Sequence, residues 1–365
     1  MAELEVTGAV QRQAWADRVQ PPVEKLRGDL WSIPITLPNS PLRYTTVYAL
    51  AGECDVTLID AGWDSEQGWR QLQDGLGQFG ASIDDVSGVL VTHQHFDHIG
   101  LARRIREQTG AWVGLHPADA EIIARPDFRE ERLAVEAGVR WLIELGAPAE
   151  EATRLRRPSG VDRDAAFVVP DRLIEDNDLI EASGWSLRAV HTPGHTPGHL
   201  AFYDERSDLL FGGDTILPRI SPNVSTTPHH GLGDPSGSAD LAPGADALGD
   251  FLGSLDKLAE REPDEVLPAH EWRFRGVGAR VEQLKAHHDK RLTELLEAIR
   301  RNPGSVPWDM AAQMTWSRPW DQYDGYMRVS AVGETMAHLV RLVRLGLVAS
   351  SAGPVPRYTV VDRAD

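Results

Sequence analysis

Four side chains that can bind a metal lie directly after a short apolar run. The run, Gly88–Thr92, is compact and apolar and predicts a buried β-strand. The residues that follow it include His93, His95, Asp97 and His98. Imidazole nitrogens and carboxylates suit Zn²⁺ and similar divalent cations, and a tight loop leaving a strand can turn several of them toward one point. Because the chain has only 13 histidines, this clustering predicts metal chemistry rather than a histidine-rich surface loop.

Three further segments place polar side chains after apolar strands. His191–His199 carries three histidines, at every fourth position, in a loop shaped by proline and glycine. Such a spacing in an extended loop cannot bring all three to one metal, so one is expected to be a ligand and the others to form hydrogen bonds within the loop. Asp214 ends another strand, and a carboxylate there can bridge two cations. His270 ends a short strand, and by itself it would more often be structural.

Together, the four segments resemble the metallo-β-lactamase superfamily in motif, order and approximate spacing. The matching motifs are Thr92–His98, Pro193–Thr196 with its histidine, Gly213–Asp214 and Pro268–His270. The resemblance covers about residues 30–300. It implies a mixed α/β fold, an αββα sandwich, with two metal ions at one edge of the two sheets.

The same resemblance implies a complete set of metal ligands. The first metal would be held by His93, His95 and His195. The second would be held by Asp97, His98 and His270, with Asp214 bridging the two. His191 and His199 would then support the ligands rather than bind metal. Zn²⁺ is the expected metal, and iron and manganese are alternatives because His/Asp sites accept all three.

Departures from particular branches of the superfamily narrow the function. The antibiotic-hydrolysing members use a cysteine in the second site, whereas Cys54 is far from every motif. The diiron oxygen-reducing relatives have a glutamate where this chain has His95. Persulfide dioxygenases, which use a single iron, are not separated by these ligands. The glyoxalase II-like and RNase Z-like branches keep all seven ligands.

The chemistry implied is hydrolysis of a small organic substrate. A metal-bridging hydroxide, oriented by Asp97 as the catalytic residue, would attack the carbonyl of a thioester, ester or lactone. The His191–His199 loop looks most like the glyoxalase II-like group. Arg219 and Asn223 follow Asp214 in a loop that leaves the metal edge, so both are predicted to bind substrate. The alternative for Arg219 is a salt bridge within the loop.

Composition limits the partners. The net charge of −18 repels phosphate backbones and disfavours nucleic acid as a partner. The sequence has no apolar run of about 18 residues, so no membrane span is predicted. The first 20 residues lack the apolar core of a secretion signal, and the single cysteine excludes an internal disulfide, so we expect a cytoplasmic protein.

The chain is predicted to divide into a lead-in (1–27), a hydrolase domain (28–300) with a helical insertion (117–164), and a winged-helix-like domain (301–365). This order is similar to the β-lactamase-like protein 2 group, in which RNA cleavage is known. Phosphodiester or RNA hydrolysis is therefore an alternative function. A non-catalytic DNA-binding regulator is another, which the complete ligand set disfavours.

The last 65 residues do not favour a nucleic-acid partner. Residues 301–365 hold seven arginines, no lysine and six acidic residues, too few basic groups for a dense positive face. We expect this domain to pack against the hydrolase domain or to form a homodimer contact.

Overall fold

The structure, a computed structural model, describes residues 4–154, 168–226, 246–323, 325–351 and 353–361. The described chain divides into two compact units. The first combines the described residues of Met1–Ala124, Asp162–Pro222 and Gly253–Glu282. The second combines those of Arg125–Val161, Asn223–Leu252 and Gln283–Asp365.

The first unit contains two sheets, each with seven strands among the described residues. The first sheet follows chain order. Its strands β2 to β5 are antiparallel, and β5 to β8 run parallel. The strands are β2 (Glu24–Arg27), β3 (Leu30–Thr36), β4 (Tyr44–Ala51), β5 (Val56–Ile59), β6 (Val86–Leu90), β7 (Trp112–Leu115) and β8 (Arg172–Leu173).

The second sheet has the order β1-β14-β13-β12-β11-β10-β9 and is antiparallel except between β12 and β13. Its strands are β1 (Glu5–Val6), β9 (Leu179–Ala182), β10 (Trp185–His191), β11 (Leu200–Asp204), β12 (Leu209–Gly213), β13 (Glu265–Pro268) and β14 (Phe274–Arg275).

The two sheets share one apolar core. Leu50 and Leu90 from the first sheet and Phe202 and Phe211 from the second are all at most 1% exposed and belong to the same cluster. The ring of Phe211 lies 5.4 Å, edge to face, from that of Tyr48 on the opposite sheet. Face-to-face packing of this kind buries one side of each sheet and fixes their mutual orientation.

Helices cover the first sheet and join the strands. α2 (Glu66–Gly77) packs on β3, and α4 (Ala102–Thr109) packs on β6 and β7. This mixed α/β architecture agrees with the predicted sandwich. The other helices that contribute residues to this unit are α1 (Ala9–Asp17), α3 (Phe96–Ile99), α5 (Pro117–Ala124), α9 (Ala247–Arg261) and α10 (Val277–Arg301).

The second unit has its own core. Trp141 and Leu145 from the insertion pack in one cluster with Leu295, Trp308 and Leu339. Its remaining elements are α6 (Pro126–Arg129), α7 (Glu131–Glu144), α8 (Ala149–Thr153), α11 (Pro307–Gln313), α12 (Gly325–Arg344), β15 (Val348–Ser351) and β16 (Arg357–Val360).

The insertion and the C-terminal segment therefore share a core, although the sequence suggests two separate pieces. Residues 155–164 of the predicted insertion lie outside the described residues. Within 301–365, the helices α11 and α12 are followed by the antiparallel pair β15 and β16. Their assignment to a winged-helix domain stays a prediction, as do the domain boundaries.

Residues 1–27 hold more regular structure than a lead-in suggests. β1 pairs with β14 at one edge of the second sheet, and β2 pairs with β3 at one edge of the first. Strands of two and four residues are too short to show an alternating pattern in the sequence. Among the described residues, no helix is both long and apolar enough to cross a membrane.

A pair of buried histidines joins two helices of the second unit. His288 of α10 and His338 of α12 are at most 1% exposed, and Nδ1 of the first lies 3.2 Å from Nε2 of the second. Since His338 donates its Nδ1–H to the carbonyl of Glu334, its Nε2 is the acceptor. Burial lowers the pKa of His288 to about 2 and that of His338 to about 4.

The pair makes stability sensitive to acid. Between pH 6.5, the ordinary histidine value, and about 4, the unfolded chain binds more protons than the folded one, so stability is lost as the pH falls. We expect the unfolding free energy of His338→Gln to fall about 1–2 kcal/mol less than wild type between about pH 7.5 and 5. Urea unfolding at several pH values measures this. The exposed neighbour provides a control, because His287→Gln should follow wild type; an identical pH dependence in all three proteins would contradict the assignment.

Candidate metal centre

The candidate ligands follow strands that end at a common edge of the sandwich. β5 and β6 are parallel neighbours, as are β12 and β13, so the carboxyl ends of each pair meet. Backbone hydrogen bonds then connect the two sheets at this edge, from Leu200 N to Thr92 O at 2.8 Å and from Thr46 N to Ala269 O at 2.7 Å. Segments distant in sequence are thereby held together by main-chain geometry.

The first group of candidate ligands contains three histidines. Nδ1 of His95 lies 3.0 Å from Nε2 of His93 and 3.0 Å from Nε2 of His195. The loop after β6 supplies two of these rings, and the loop after β10 supplies the third. Three imidazole nitrogens that converge in this way form a donor set suited to a divalent cation.

The second group contains a carboxylate and two histidines. Oδ2 of Asp97 lies 3.5 Å from Nε2 of His98 and 3.3 Å from Nε2 of His270. Both rings are completely buried, and neither Nε2 atom has a hydrogen-bond partner among the described residues. Buried polar atoms without partners are costly. A cation is the group that their lone pairs fit.

Asp214 faces both groups with different oxygens. Its Oδ1 lies 3.3 Å from Nε2 of His270 and 3.6 Å from Nε2 of His98, whereas its Oδ2 lies 3.5 Å from Nε2 of His195. The Oδ1 atom is also buried without a hydrogen-bond partner among the described residues. The structure thus brings together all seven side chains that the sequence predicted, with this carboxylate between two sets of three.

The charges of the second group are strongly coupled. Burial alone would raise the pKa of Asp97 and Asp214, but His98 and His270 beside them hold both well below their usual range. Conversely, burial would lower the pKa of His98, but Asp97, Asp60 and Asp214 raise it to about 9. Both carboxylates are therefore ionised at neutral pH and available to a cation.

Asp60, which the sequence analysis missed, supports ligands of both groups. Its Oδ2 accepts from Nδ1 of His98 at 2.7 Å, and its Oδ1 accepts from N and Oγ1 of Thr92 at 2.8 and 2.9 Å. The Thr92 hydroxyl in turn lies 3.0 Å from Nδ1 of His93. These bonds occupy Nδ1 of each histidine with a ring proton, so Nε2 is the nitrogen left to bind a metal.

The two other loop histidines form hydrogen bonds and belong to neither group of candidate ligands. Nε2 of His199 accepts from the backbone N–H of Asp214 at 3.1 Å, and its Nδ1 lies 2.8 Å from the hydroxyl of Thr215. His191 donates from Nε2 to the carbonyl of Pro197 at 2.8 Å. Close approach to His199 requires the glycine at 213, where a Cβ would lie 2.6 Å from its Nε2.

Asp119 of α5 joins the two loops that carry the first group. Its Oδ2 accepts from Gln94 N at 3.0 Å and from Thr196 Oγ1 at 2.8 Å, and its Oδ1 accepts from Gly198 N at 2.7 Å. The residue is completely buried. Burial raises the pKa of Asp119 to about 6, against the opposing effect of these hydrogen bonds. A Cβ at Gly198 would lie 2.6 Å from the backbone of Asp119, so the contact needs glycine.

Neither supporting carboxylate belongs to a histidine-rich motif. Asp60 does follow the strand β5 directly, which is the same signal that identified Asp214. Asp119 lies near the beginning of a helix, where acidic residues are common, so its position gave no sign of its role.

The two predicted substrate residues are placed differently. Arg219 forms an ion pair with Glu271, with Nη2 2.6 Å from Oε1, which is the alternative raised from the sequence. Its side chain is nevertheless 53% exposed. Asn223 is half-buried and belongs to the second unit. A role for either in substrate binding stays a prediction.

A family model describing the metallo-beta-lactamase superfamily matches residues 40–270. This span covers more than half of the chain and includes all seven candidate ligands. The chain belongs to the metallo-beta-lactamase superfamily. Members of this superfamily bind divalent metals, which agrees with the groups of histidine and aspartate described above.

Curated relatives in the superfamily include several hydrolases. The chain is 27% identical to the probable metallo-hydrolase YqjP of Bacillus subtilis, over 65% of this chain and 70% of that protein. It is 30% identical to the acyl-coenzyme A thioesterase MBLAC2 of Gallus gallus, over 47% and 57% of the respective chains. It is also 30% identical to a hydroxyacylglutathione hydrolase of Ectopseudomonas mendocina, but over only 36% of this chain and 34% of that one.

Two solved structures of the superfamily resemble the whole chain. The metallo-beta-lactamase family protein TTHA1429 of Thermus thermophilus has a TM-score of 0.73 and 29% identity, with 92% of this chain and 100% of the other covered. A beta-lactamase domain protein from Burkholderia ambifaria has a TM-score of 0.76 and 26% identity, with 98% of both chains covered.

The position of Asp119 predicts a loss of metal at one group only. Asp119→Asn keeps the size of the side chain but replaces one acceptor oxygen with an NH₂ group, so a bond to one of the two loops is lost. We expect the affinity of the group with His93, His95 and His195 to fall about 10–100-fold, while the other group keeps its metal. Competition with a zinc chelator, together with metal content per chain, measures the two affinities.

Asp85→Asn is the matched control, because Asp85 accepts two hydrogen bonds from Ser82 at the exposed start of a short helical turn. It should bind metal like wild type. Unchanged affinity at both groups of the Asp119 variant would show that this carboxylate does not support the ligands.

Proposed function

We propose that the protein is a binuclear metal-dependent hydrolase that cleaves a thioester of a small organic substrate, with esters and lactones as related substrates. One divalent ion, for which zinc is the favoured metal, would be held by His93, His95 and His195. The other would be held by Asp97, His98 and His270. The observation that carries the binuclear assignment is that Asp214 directs one carboxylate oxygen toward each group.

When bound at such a site, divalent cations lower the pKa of water and polarise the carbonyl oxygen of a substrate. In the proposed reaction, Asp97 orients the attacking water. Its carboxylate accepts a hydrogen bond from the Thr45 hydroxyl at 3.1 Å and remains 15% exposed, unlike the buried rings around it. Because its pKa lies well below the usual range, it stays an acceptor throughout the neutral range.

The preference for thioesters rests on chemistry and on relatives. Attack of water on the carbonyl carbon forms a C–O bond and breaks the C–S bond, and the sulfur leaves as a thiolate that solvent can protonate. A thiolate needs little help from an acid, which suits a site whose seven candidate ligands all face the metal positions. MBLAC2 and the hydroxyacylglutathione hydrolases are named for thioester substrates, and we extend that class to this chain.

The test is a matched panel of substrates with the zinc-loaded protein. It contains acyl-coenzyme A and acyl-glutathione thioesters, acyl lactones, bis-aryl phosphodiesters and single-stranded RNA. Asp97→Asn should lower kcat/KM for thioesters by about 10²–10⁴-fold, because the water loses its acceptor and the second group loses a ligand. Turnover of each substrate by wild type and variant is followed with a thiol reagent, by absorbance or by gel.

Asp84→Asn is the control for this variant, because Asp84 is exposed and accepts a hydrogen bond from Gln108 at the surface. It should hydrolyse thioesters at the rate of wild type. Metal-dependent turnover of the phosphodiesters or RNA alone, with no carbonyl substrate cleaved, would overturn the proposed function.

A further inference from the structure

Two arginines lie over one tryptophan in the first unit. The guanidinium carbons of Arg43 and Arg219 lie 4.4 and 5.4 Å from the centroid of the Trp15 ring. The edge of a second indole, that of Trp272, lies nearby, with the two ring centroids 6.3 Å apart. We call Trp15, Arg43 and Arg219 the cation–indole cluster. Arginine stacked on an aromatic face is held in place without losing its charge.

Short chain connections join this cluster to the second group of candidate ligands. Arg43 lies two residues before Thr45, whose hydroxyl donates to Asp97 at 3.1 Å. The residue between them, Tyr44, accepts at its carbonyl from Nδ1 of His270 at 2.9 Å. On the other side, Arg219 pairs with Glu271, the residue that follows His270. Both arginines are therefore linked to residues of the second group through short stretches of chain, and all of these residues belong to one compact unit.

Each guanidinium keeps unused donors. Arg43 uses Nη1 to bond the carbonyl of Trp15 at 2.6 Å, and Arg219 uses Nη2 to pair with Glu271. Neither arginine bonds another described residue through its remaining side-chain N–H groups. Those of Arg43 are not fully buried, and the Arg219 side chain is 53% exposed. An arginine needs two adjacent donors to hold a carboxylate or phosphate in the two-point manner, and these donors are accessible.

Three arginines and one contacting carboxylate lie at or next to the cluster. Glu271 is the carboxylate that contacts it, and that side chain is fully buried. A third cation, Arg280, bonds the carbonyls of Leu217 and Ile220 within the same loop as Arg219. The chain has a net charge of −18, so most of its surface repels anions. A local group of arginines would attract an anion that the rest of the surface repels.

We propose that the cation–indole cluster binds an anionic group, a carboxylate or a phosphate, of the substrate whose carbonyl carbon is hydrolysed at the metal centre. This inference rests on the proposed function and makes it more specific, since the favoured thioesters carry a negative charge. The indole provides an apolar wall, and Arg43 and Arg219 provide the donors. The other role the cluster could have is structural, in holding α1 against the sandwich, and the experiment separates the two.

The experiment compares matched thioesters of butanoic acid. The thiol part is N-acetylcysteamine, which is neutral, 3-mercaptopropionate, which carries a carboxylate, or coenzyme A, which carries phosphates. We expect Arg43→Gln and Arg219→Gln to lower kcat/KM at least about tenfold for the charged thioesters through a higher KM, since each variant loses a charge-assisted hydrogen bond. The neutral thioester should be hydrolysed as by wild type.

Arg104→Gln is the matched control. Arg104 also lies over an indole, 4.2 Å from the ring centroid of Trp69, and pairs with a glutamate, Glu66, at 2.8 Å. Its loss should affect no thioester. Arg219→Lys keeps a positive charge opposite Glu271 but lacks the two-point donor. It should therefore be as stable as wild type but keep only part of the affinity for the charged thioesters.

A binding measurement separates failure of the inference from failure of the proposed function. A thioether analogue that cannot be hydrolysed, 3-(butylthio)propionate, is titrated calorimetrically into the zinc-loaded protein. Weaker binding by the two glutamine variants than by wild type supports the cluster even if no thioester is turned over. Hydrolysis of all three thioesters with equal KM in wild type and variants would overturn the cluster as an anion site and leave the hydrolase standing.

Discussion

Asp214 is 6% exposed, and its two oxygens face two different sets of histidines. Burying a carboxylate is costly unless an opposite charge compensates for it. Protons on His98 and His270 compensate only in part, because Asp214 Oδ1 and the Nε2 atoms of both histidines lack hydrogen-bond partners among the described residues. Under the proposed function, cations at the two positions would resolve this cost. The rest of the first unit serves to hold the seven side chains at that spacing.

The support comes from the backbone as much as from side chains. Strand ends of both sheets meet at the metal edge, and main-chain hydrogen bonds from Leu200 to Thr92 and from Thr46 to Ala269 join the sheets there. Asp60 and Asp119 then fix the loops, one through the Thr92 hydroxyl and His98, the other through Gln94, Thr196 and Gly198. A small displacement of a ligand weakens its bond to a metal. Buried carboxylates that bind no metal, such as Asp60 and Asp119, therefore matter because they hold the ligands in position.

Much of this arrangement could be predicted from the sequence, because the ligands sit in dense local motifs after apolar strands. Thr92–His98 needs no knowledge of distant contacts, and the apolar run Gly88–Thr92 before it predicts most of the strand β6. Asp119 could not be predicted, since its three donors come from segments about 25 and 80 residues away, and an aspartate in the first turn of a helix is most often there to stabilise the helix end. The shared core of the insertion and the C-terminal segment was missed for the same reason: Trp141 and Trp308 are apolar in any packing, and only the fold pairs them.

The central claim is that two metal ions lie on either side of Asp214. Anomalous diffraction from crystals of the zinc-loaded protein, collected on both sides of the zinc absorption edge, measures this directly. The account predicts two peaks about 3.5–4 Å apart, one among His93, His95 and His195 and the other among Asp97, His98 and His270, with one oxygen of Asp214 toward each. A single peak, or a second peak that Asp214 does not contact, would contradict it.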